Sequence, residues 1–279
     1  MKIKTINCKG NLIDLSKPKV MGILNLTPDS FYDGGKYKSD KSILLQVEKM
    51  INEGAAFIDI GAYSSRPGAK NINEDQELKR LTQSLELIIK KFPNILISID
   101  TFRSKVAEIC IEMGACMIND ISGGNLDQNM FDKIAKLQVP YILMHMPGSP
   151  QTMHHFTDYD DIVKDIIFYF SKKNNQLNVL GVNDIILDVG FGFGKTLDQN
   201  YELLQKLELF KTFDLPILTG ISRKSMIYKL LNTTANEALN ATSAAHTIAL
   251  LNGSNILRVH DVKEAVETIK IVSKTYEIS

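Results

Sequence analysis

Asn25, Gly61, Asp100, Asn119–Asp120, His145, Asp188, Gly220 and Arg258 each stand where a short apolar run has just ended. Together with Ser222–Arg223–Lys224 and His260 they form a usable chemical set. A carboxylate accepts two N–H bonds, while a primary amide both donates and accepts. Asp100, Asn119 and Asp188 can therefore match a flat ligand edge that presents donors beside acceptors. Arg258 offers a planar fork of donors and His260 one more, a combination that suits a diphosphate. The backbone N–H groups from Ser225 onward open a helical segment, and such a terminus favours a carboxylate.

These residues need a scaffold that brings strand ends together. The preceding runs are Val20–Leu24, Phe57–Ile60, Ile95–Ile99, Cys116–Ile118, Tyr141–Met144, Ile185–Leu187, Ile217–Thr219 and Ile256–Leu257. They are apolar throughout instead of alternating, as expected of strands covered on both faces. Amphipathic stretches follow at roughly 40–53, 74–91, 103–113, 127–137, 158–176, 198–209, 236–251 and 261–276. Asp40, Asn73 and Asp127 are placed to cap helices, and Gly54, Gly114 and Gly253 to end them. Eight β-then-α units imply parallel strands with right-handed crossovers. The count predicts a (β/α)₈ TIM barrel, α/β in class, with a doubly wound sheet as second choice. Residues 1–19, with Gly10–Asn11 between short apolar runs, predict a hairpin plugging the barrel bottom. No composition break divides residues 1–279 into more than one domain. The segments 26–39 and 62–73, rich in Gly and Pro, are expected to act as lids over the mouth.

Composition narrows the function. Lys+Arg and Asp+Glu both number 32, so no global field steers the protein to nucleic acid or an anionic membrane. No apolar stretch approaches the ~20 residues of a membrane span. The first residues lack an apolar h-region and a cleavage site. Cys8, Cys110 and Cys116 are an odd number without paired spacing, which favours buried thiols in a reducing cytosol. A soluble, cytoplasmic enzyme is the expectation.

In order, the strand ends read Met21-Gly-Ile-Leu-Asn-Leu-Thr-Pro-Asp-Ser-Phe31, Gly61-Ala-Tyr-Ser-Ser-Arg-Pro-Gly68, Ser98-Ile-Asp-Thr101 and Ile118-Asn-Asp120. They continue with Met144-His-Met146, Asp188-Val-Gly-Phe-Gly-Phe-Gly-Lys195, Gly220-Ile-Ser-Arg-Lys-Ser225 and Arg258-Val-His-Asp261. Over residues 20–261 this series resembles the dihydropteroate synthase family, pterin-binding TIM barrels that join a dihydropterin diphosphate to 4-aminobenzoate. The resemblance implies that Asp100, Asn119, Asp188 and Lys224 hold the pterin edge, with Met144 and Phe193 against its faces and Gly220 beside it. Asp100, Asp188, Lys224 and Asp33 would act on the reaction itself. It implies a diphosphate site of Asn25, Ser65, Arg66, Arg258 and His260, with Asn25 also ligating Mg²⁺. It places 4-aminobenzoate near Phe31, Pro67, Arg223 and Ser225, with Asp33 and Phe31 covering the reacting carbon. A homodimer through the outer helices and sensitivity to sulfonamides are further implications.

The chain departs from the family pattern at Ala62-Tyr-Ser-Ser65, where Gly-Glu-Ser-Thr is usual, and at Val189, where Pro is usual. Ser65 keeps the hydroxyl and Asp188 the carboxylate. Two other functions remain open at this point: a pterin-dependent methyltransferase, and a non-catalytic pterin-binding paralogue. The Thr27–Phe31 loop, Ser65-Arg-Pro67 and Arg258/His260 argue against the first, since a methyl donor without diphosphate needs none of them. Several apparent motifs carry no chemistry. A Walker A loop ending at Gly194-Lys195-Thr196 would need Gly where Val189 stands. His154–His155 lack metal-ligand spacing, and His246 lies in an Ala-rich helix.

Overall fold

A computed structural model describes residues 4–26, 40–64 and 72–276. An antiparallel hairpin of β1 (Thr5–Cys8) and β2 (Asn11–Asp14) comes first. Eight parallel strands follow: β3 (Lys19–Asn25), β4 (Phe57–Gly61), β5 (Leu96–Asp100), β6 (Met117–Asp120), β7 (Tyr141–Met144), β8 (Ile185–Asp188), β9 (Ile217–Thr219) and β10 (Ile256–Val259). They run in chain order, and β10 pairs back onto β3, with Arg258 opposite Met21. That closure confirms the TIM barrel and rules out the doubly wound sheet. The helices are α1 (Asp40–Asn52), α2 (Glu74–Lys91), α3 (Ser104–Glu112), α4 (Met130–Leu137), α5 (Ile162–Val179), α6 (Leu197–Gln205), α7 (Ser225–Leu230), α8 (Leu239–Leu251) and α9 (Val262–Tyr276). None is long and apolar enough to cross a membrane.

Side chains alternate across each strand, so the barrel separates into an inner and an outer face with period two. Ile58, Ile60, Ile97, Ile99, Ile118, Leu143, Leu187 and Leu257 pack outward in the large core beneath the helices. Met21, Phe57, Met117, Ile142, Ile186, Leu218 and Ile256 fill the barrel interior. Two residues further along the same inner face stand Asp59, Asn119, Met144, Asp188, Gly220 and Arg258. The polar mouth is thus the continuation of the apolar interior. By the same parity Asp120 and His145 belong to the outer face and turn away from it. Asp120 accepts from the Tyr141 hydroxyl (2.7 Å) and from the Ser122 and Gly124 amides, which makes it a turn-former.

The hairpin closes the other end. Ile6, Cys8 and Leu15 are all but fully buried and belong to the same cluster as Met21, Phe57 and Ile186. Leu15→Ala is expected to cost about 2–5 kcal/mol, because a barrel closed on all sides has little freedom to collapse around the cavity. Urea denaturation would measure it.

Asn73 caps α2 in a reciprocal capping box with Gln76. Asp127 opens the turn into α4: its Oδ1 accepts from the amide of Asn129, the residue before the helix (2.9 Å). Its Oδ2 also accepts from the Ser104 amide, the first N–H of α3 (2.7 Å), so one carboxylate serves the start of two helices. The helix expected over 198–209 ends at Gln205 and tightens into a 3₁₀ segment over Leu207–Phe213. Most of the two expected lids, 27–39 and 65–71, lies outside the described residues.

Candidate active site

The strand register places Asn25, Gly61, Asp100 and Asn119 on one rung across β3 to β6. Inside it, Arg258 reaches across the barrel from β10. Its Nε donates to Asp59 Oδ2 (2.6 Å) and its Nη2 to Asp100 Oδ2 (2.7 Å). Asn119 Nδ2 donates to the same Asp59 oxygen (2.9 Å). The other oxygen of Asp59 is buried without a partner among the described residues. Burial pushes the Asp100 carboxyl up to about 7 against the pull of Arg258, and Asp59 pushes the same way. Burial also disfavours charge on Arg258, yet Asp59 and Asp100 leave it protonated more firmly than an ordinary arginine.

Opposite this network lies Asp188, whose Oδ1 accepts from the Gly190 amide (2.8 Å). Burial raises its carboxyl above the ordinary range, while Lys224, the Gly190 amide, Arg258 and Lys195 oppose the rise. The Lys224 ammonium donates to the Phe191 carbonyl (2.6 Å) and lies 4.7 Å above the centre of the Phe193 ring. Its pKa falls to about 8, chiefly through burial. Gly220 faces this group: a Cβ there would come 3.9 Å from both Asp188 Oδ2 and Lys224 Nζ and 4.0 Å from Arg258 Cβ. Its missing side chain keeps that wall open. Ile121, Met144, Met146 and Met153 pack around the mouth, with Phe102 and Phe193 against them. A flat ring can enter between these apolar faces with its polar edge toward Asp100, Asn119 and Asp188.

Other candidates sit elsewhere. Asn25 ends β3 half-buried at the rim, and His260 is exposed beyond β10, its amide donating to Ser222 Oγ (3.2 Å). Ser225 is the first residue of α7. Arg223, which the resemblance places beside the 4-aminobenzoate carboxylate, is engaged by protein partners. Its backbone is left-handed (φ 52°), and its guanidinium turns into a bidentate pair with Asp261 (2.7 and 2.9 Å). The remaining donors reach the Ala235 and Asn236 carbonyls. That side chain fixes the turn before α7. Phe31, Asp33, Ser65, Arg66 and Pro67 lie outside the described residues.

Two site residues escaped the reading of the sequence. Asp59 stood inside what looked like the apolar run Phe57–Ile60. A carboxylate two residues before a strand end shares the inner face, and that parity would have found it. Lys195 belongs to no motif that the sequence supports, yet it lies part-buried behind Asp188, close enough to influence its charge.

Residues 21–260 match the family model described as "Pterin binding enzyme". Dihydropteroate synthase of Escherichia coli (strain K12) is 42% identical over 269 residues, covering 96% of this chain and 95% of that protein. The Yersinia pestis dihydropteroate synthase, solved with a sulfonamide drug complex, superposes with a TM-score of 0.92 at 40% identity, covering 98% and 99% of the two chains. The Xanthomonas albilineans dihydropteroate synthase, solved with 4-aminobenzoic acid, gives 0.91 at 32% identity, with 98% of each chain covered. With the closed barrel and the carboxylate, amide and ammonium groups gathered in its mouth, these matches show that the chain belongs to the dihydropteroate synthase family, transferases of folate biosynthesis.

Proposed function

We propose that the mouth binds a dihydropterin methyl diphosphate and 4-aminobenzoate and joins them with loss of diphosphate. The observation that carries this assignment is the wall of Asp100, Asn119 and Asp188, with Lys224 facing it and Gly220 leaving the space between. Asp100 and Asp188 accept from the ring's N–H groups, Asn119 donates and accepts, and Lys224 donates to the ring carbonyl and a ring nitrogen. Met144 and Phe193 cover the faces. Arg258 spends Nε and Nη2 on carboxylates; among the described residues its Nη1 takes no bond and is available to a phosphate oxygen. Asn25, His260, Ser65 and Arg66 complete the diphosphate site. The 4-aminobenzoate carboxylate goes to Ser225 and the amides beside it, between Phe31 and Pro67, while Arg223 holds that turn in shape.

The reaction breaks the bond between the methylene carbon and the diphosphate oxygen, with the electron pair leaving on oxygen. Positive charge then spreads into the dihydropterin, where Asp100 and Asp188 face it; fixed anions aimed at developing cationic charge are effective catalysts. The aniline nitrogen, neutral near pH 7, adds to the carbon and loses a proton, and no strong general base is required. The resemblance assigns Asp33 and Phe31 to the reacting carbon.

Asn25 is a suitable donor for Mg²⁺: a neutral amide oxygen at the rim, with no side-chain bond of its own among the described residues, suits an ion that takes few protein ligands beside phosphates and water. Bound there, the ion would neutralise charge on the departing diphosphate.

One domain spanning residues 1–279, a cytoplasmic location and a homodimer complete the proposal. All three cysteines are free and buried, in keeping with a reducing compartment. Helix α8 exposes Ala244, Ile248 and Leu251 along one stripe, an apolar face suited to a second copy.

Incubating the protein with the pterin diphosphate, 4-aminobenzoate and Mg²⁺ should yield dihydropteroate and diphosphate. A sulfonamide should raise the apparent KM for 4-aminobenzoate and leave the maximal rate unchanged. Pterin binding without turnover would instead indicate a non-catalytic paralogue.

A further inference from the structure

Lys195 lies in the loop after β8, in a cage of acceptors that no substrate role explains. Its ammonium donates to the Phe193 carbonyl (2.9 Å) and contacts His145 Nδ1 (3.1 Å), with the His145 carbonyl 3.4 Å away. Burial drives the His145 imidazole well below its ordinary pKa, so the ring is neutral and its Nδ1 accepts from Lys195 when that group is an ammonium; burial also lowers the Lys195 pKa, to about 7, against the pull of Asp188. The imidazole stands edge-on to Tyr169, centres 4.9 Å apart, and the Tyr169 hydroxyl donates to the Met144 carbonyl (3.0 Å). From the same side the Tyr159 hydroxyl donates to the Gly194 carbonyl (2.9 Å).

The loop runs tightly against the end of β7. Gly190 has φ 72°, and a Cβ there would come within 2.0 Å of the His145 carbonyl oxygen. Only glycine permits that approach. Lys195 closes the other end of the loop on the same residue. Between the two anchors are the Gly190 amide on Asp188 Oδ1 and the Phe193 ring beneath Lys224. Two lysines thus flank the Asp188–Phe193 segment: Lys224 on the pocket side, Lys195 behind it.

We propose that Lys195 is a positioning residue for the pterin pocket, clamping the 190–195 loop onto His145 so that Phe193 and Asp188 keep the spacing a flat ring requires. This rests on the mouth being the pterin site. The clamp never touches substrate. It acts by removing freedom from a glycine-rich loop that would otherwise lose it on binding, and preorganisation of that kind appears as affinity.

Lys195→Met keeps the length and apolar stem and removes every donor. The expected result is a rise of about tenfold or more in both the pterin Kd, read by fluorescence, and the KM for the pterin diphosphate. The KM for 4-aminobenzoate should stay unchanged. A fall in thermal midpoint with pterin Kd and KM at wild-type values would mean a merely structural lysine and would overturn the proposal. If Lys195→Met does not fold, His145→Leu provides the same comparison, since it removes the Nδ1 acceptor and leaves Lys195 in place. In the double variant the two losses should overlap; full additivity would also refute the clamp. Asp188→Ala is run in parallel. If it too leaves pterin affinity intact, the pterin assignment itself has failed; if it alone abolishes binding, only the clamp has.

Discussion

Asp188→Ala should lower kcat/KM by at least about a thousandfold while the protein stays folded. Two losses combine. In the proposed binding mode the carboxylate accepts N–H bonds from the ring, and hydrogen bonds to a charged group are worth about 1.5–3 kcal/mol each. In the proposed reaction it also faces the positive charge that forms as diphosphate leaves, and removing one such electrostatic partner typically costs about 10²–10³ in rate. The fold should survive because burial already opposes the charge on Asp188, as its raised pKa shows. Deleting it frees the Gly190 amide and removes the counter-charge of Lys224 and Lys195, whose pKa values burial has already lowered to about 8 and about 7, so both can shed a proton in place of standing as unpaired buried charges. Steady-state kinetics with a urea titration of the same sample would check both halves. Wild-type turnover in this variant would refute the pterin assignment.

Arg258→Met should have the largest effect on stability of any substitution in the mouth. The guanidinium is only 18% exposed and bridges Asp59, which is fully buried, to Asp100. Without it two carboxylates remain close together inside the barrel, and breaking a buried ion pair by removing one partner costs about 3–5 kcal/mol. For a chain of this size that corresponds to a drop of roughly 2–4 °C in Tm per kcal/mol. Adding Asp59→Asn should recover part of the loss, because it removes one of the uncompensated charges. The single variant should also raise the KM for the pterin diphosphate, since Nη1 is the donor available to it. If KM and kcat for that substrate were unchanged, Arg258 would be structural only.

The architecture was legible because each strand is short, buried on both faces and followed by an amphipathic helix. The hairpin plug was legible too: Ile6 and Cys8 alternate with exposed residues on β1 and join the interior cluster, as period two requires. What escaped was mostly side-chain direction. Asp120 and His145 are polar strand-end residues like Asn119 and Asp188, but they project to the other face. Arg223 is assigned to the 4-aminobenzoate carboxylate by the resemblance alone; only the folded turn shows two of its donors paired with Asp261. Asp59 was hidden by its neighbours, three apolar residues whose average outweighed one carboxylate. Lys195 was hidden by a motif that failed, since rejecting a nucleotide loop left no reason to ask what its lysine held. Residues 27–39 and 65–71 contribute five of the expected site residues, and those stand on the resemblance alone.

The alternation of inner and outer faces has a consequence for how this chain can vary. Each strand supplies core to the helices and chemistry to the mouth from adjacent residues, so neither set can move without the other. Deleting one residue between Ile185 and Leu187 would turn Asp188 toward the helices and present an aliphatic side chain to the ring. Length changes among relatives should therefore concentrate in the connections, and the eight strands should hold a fixed frame even where their apolar residues interchange freely.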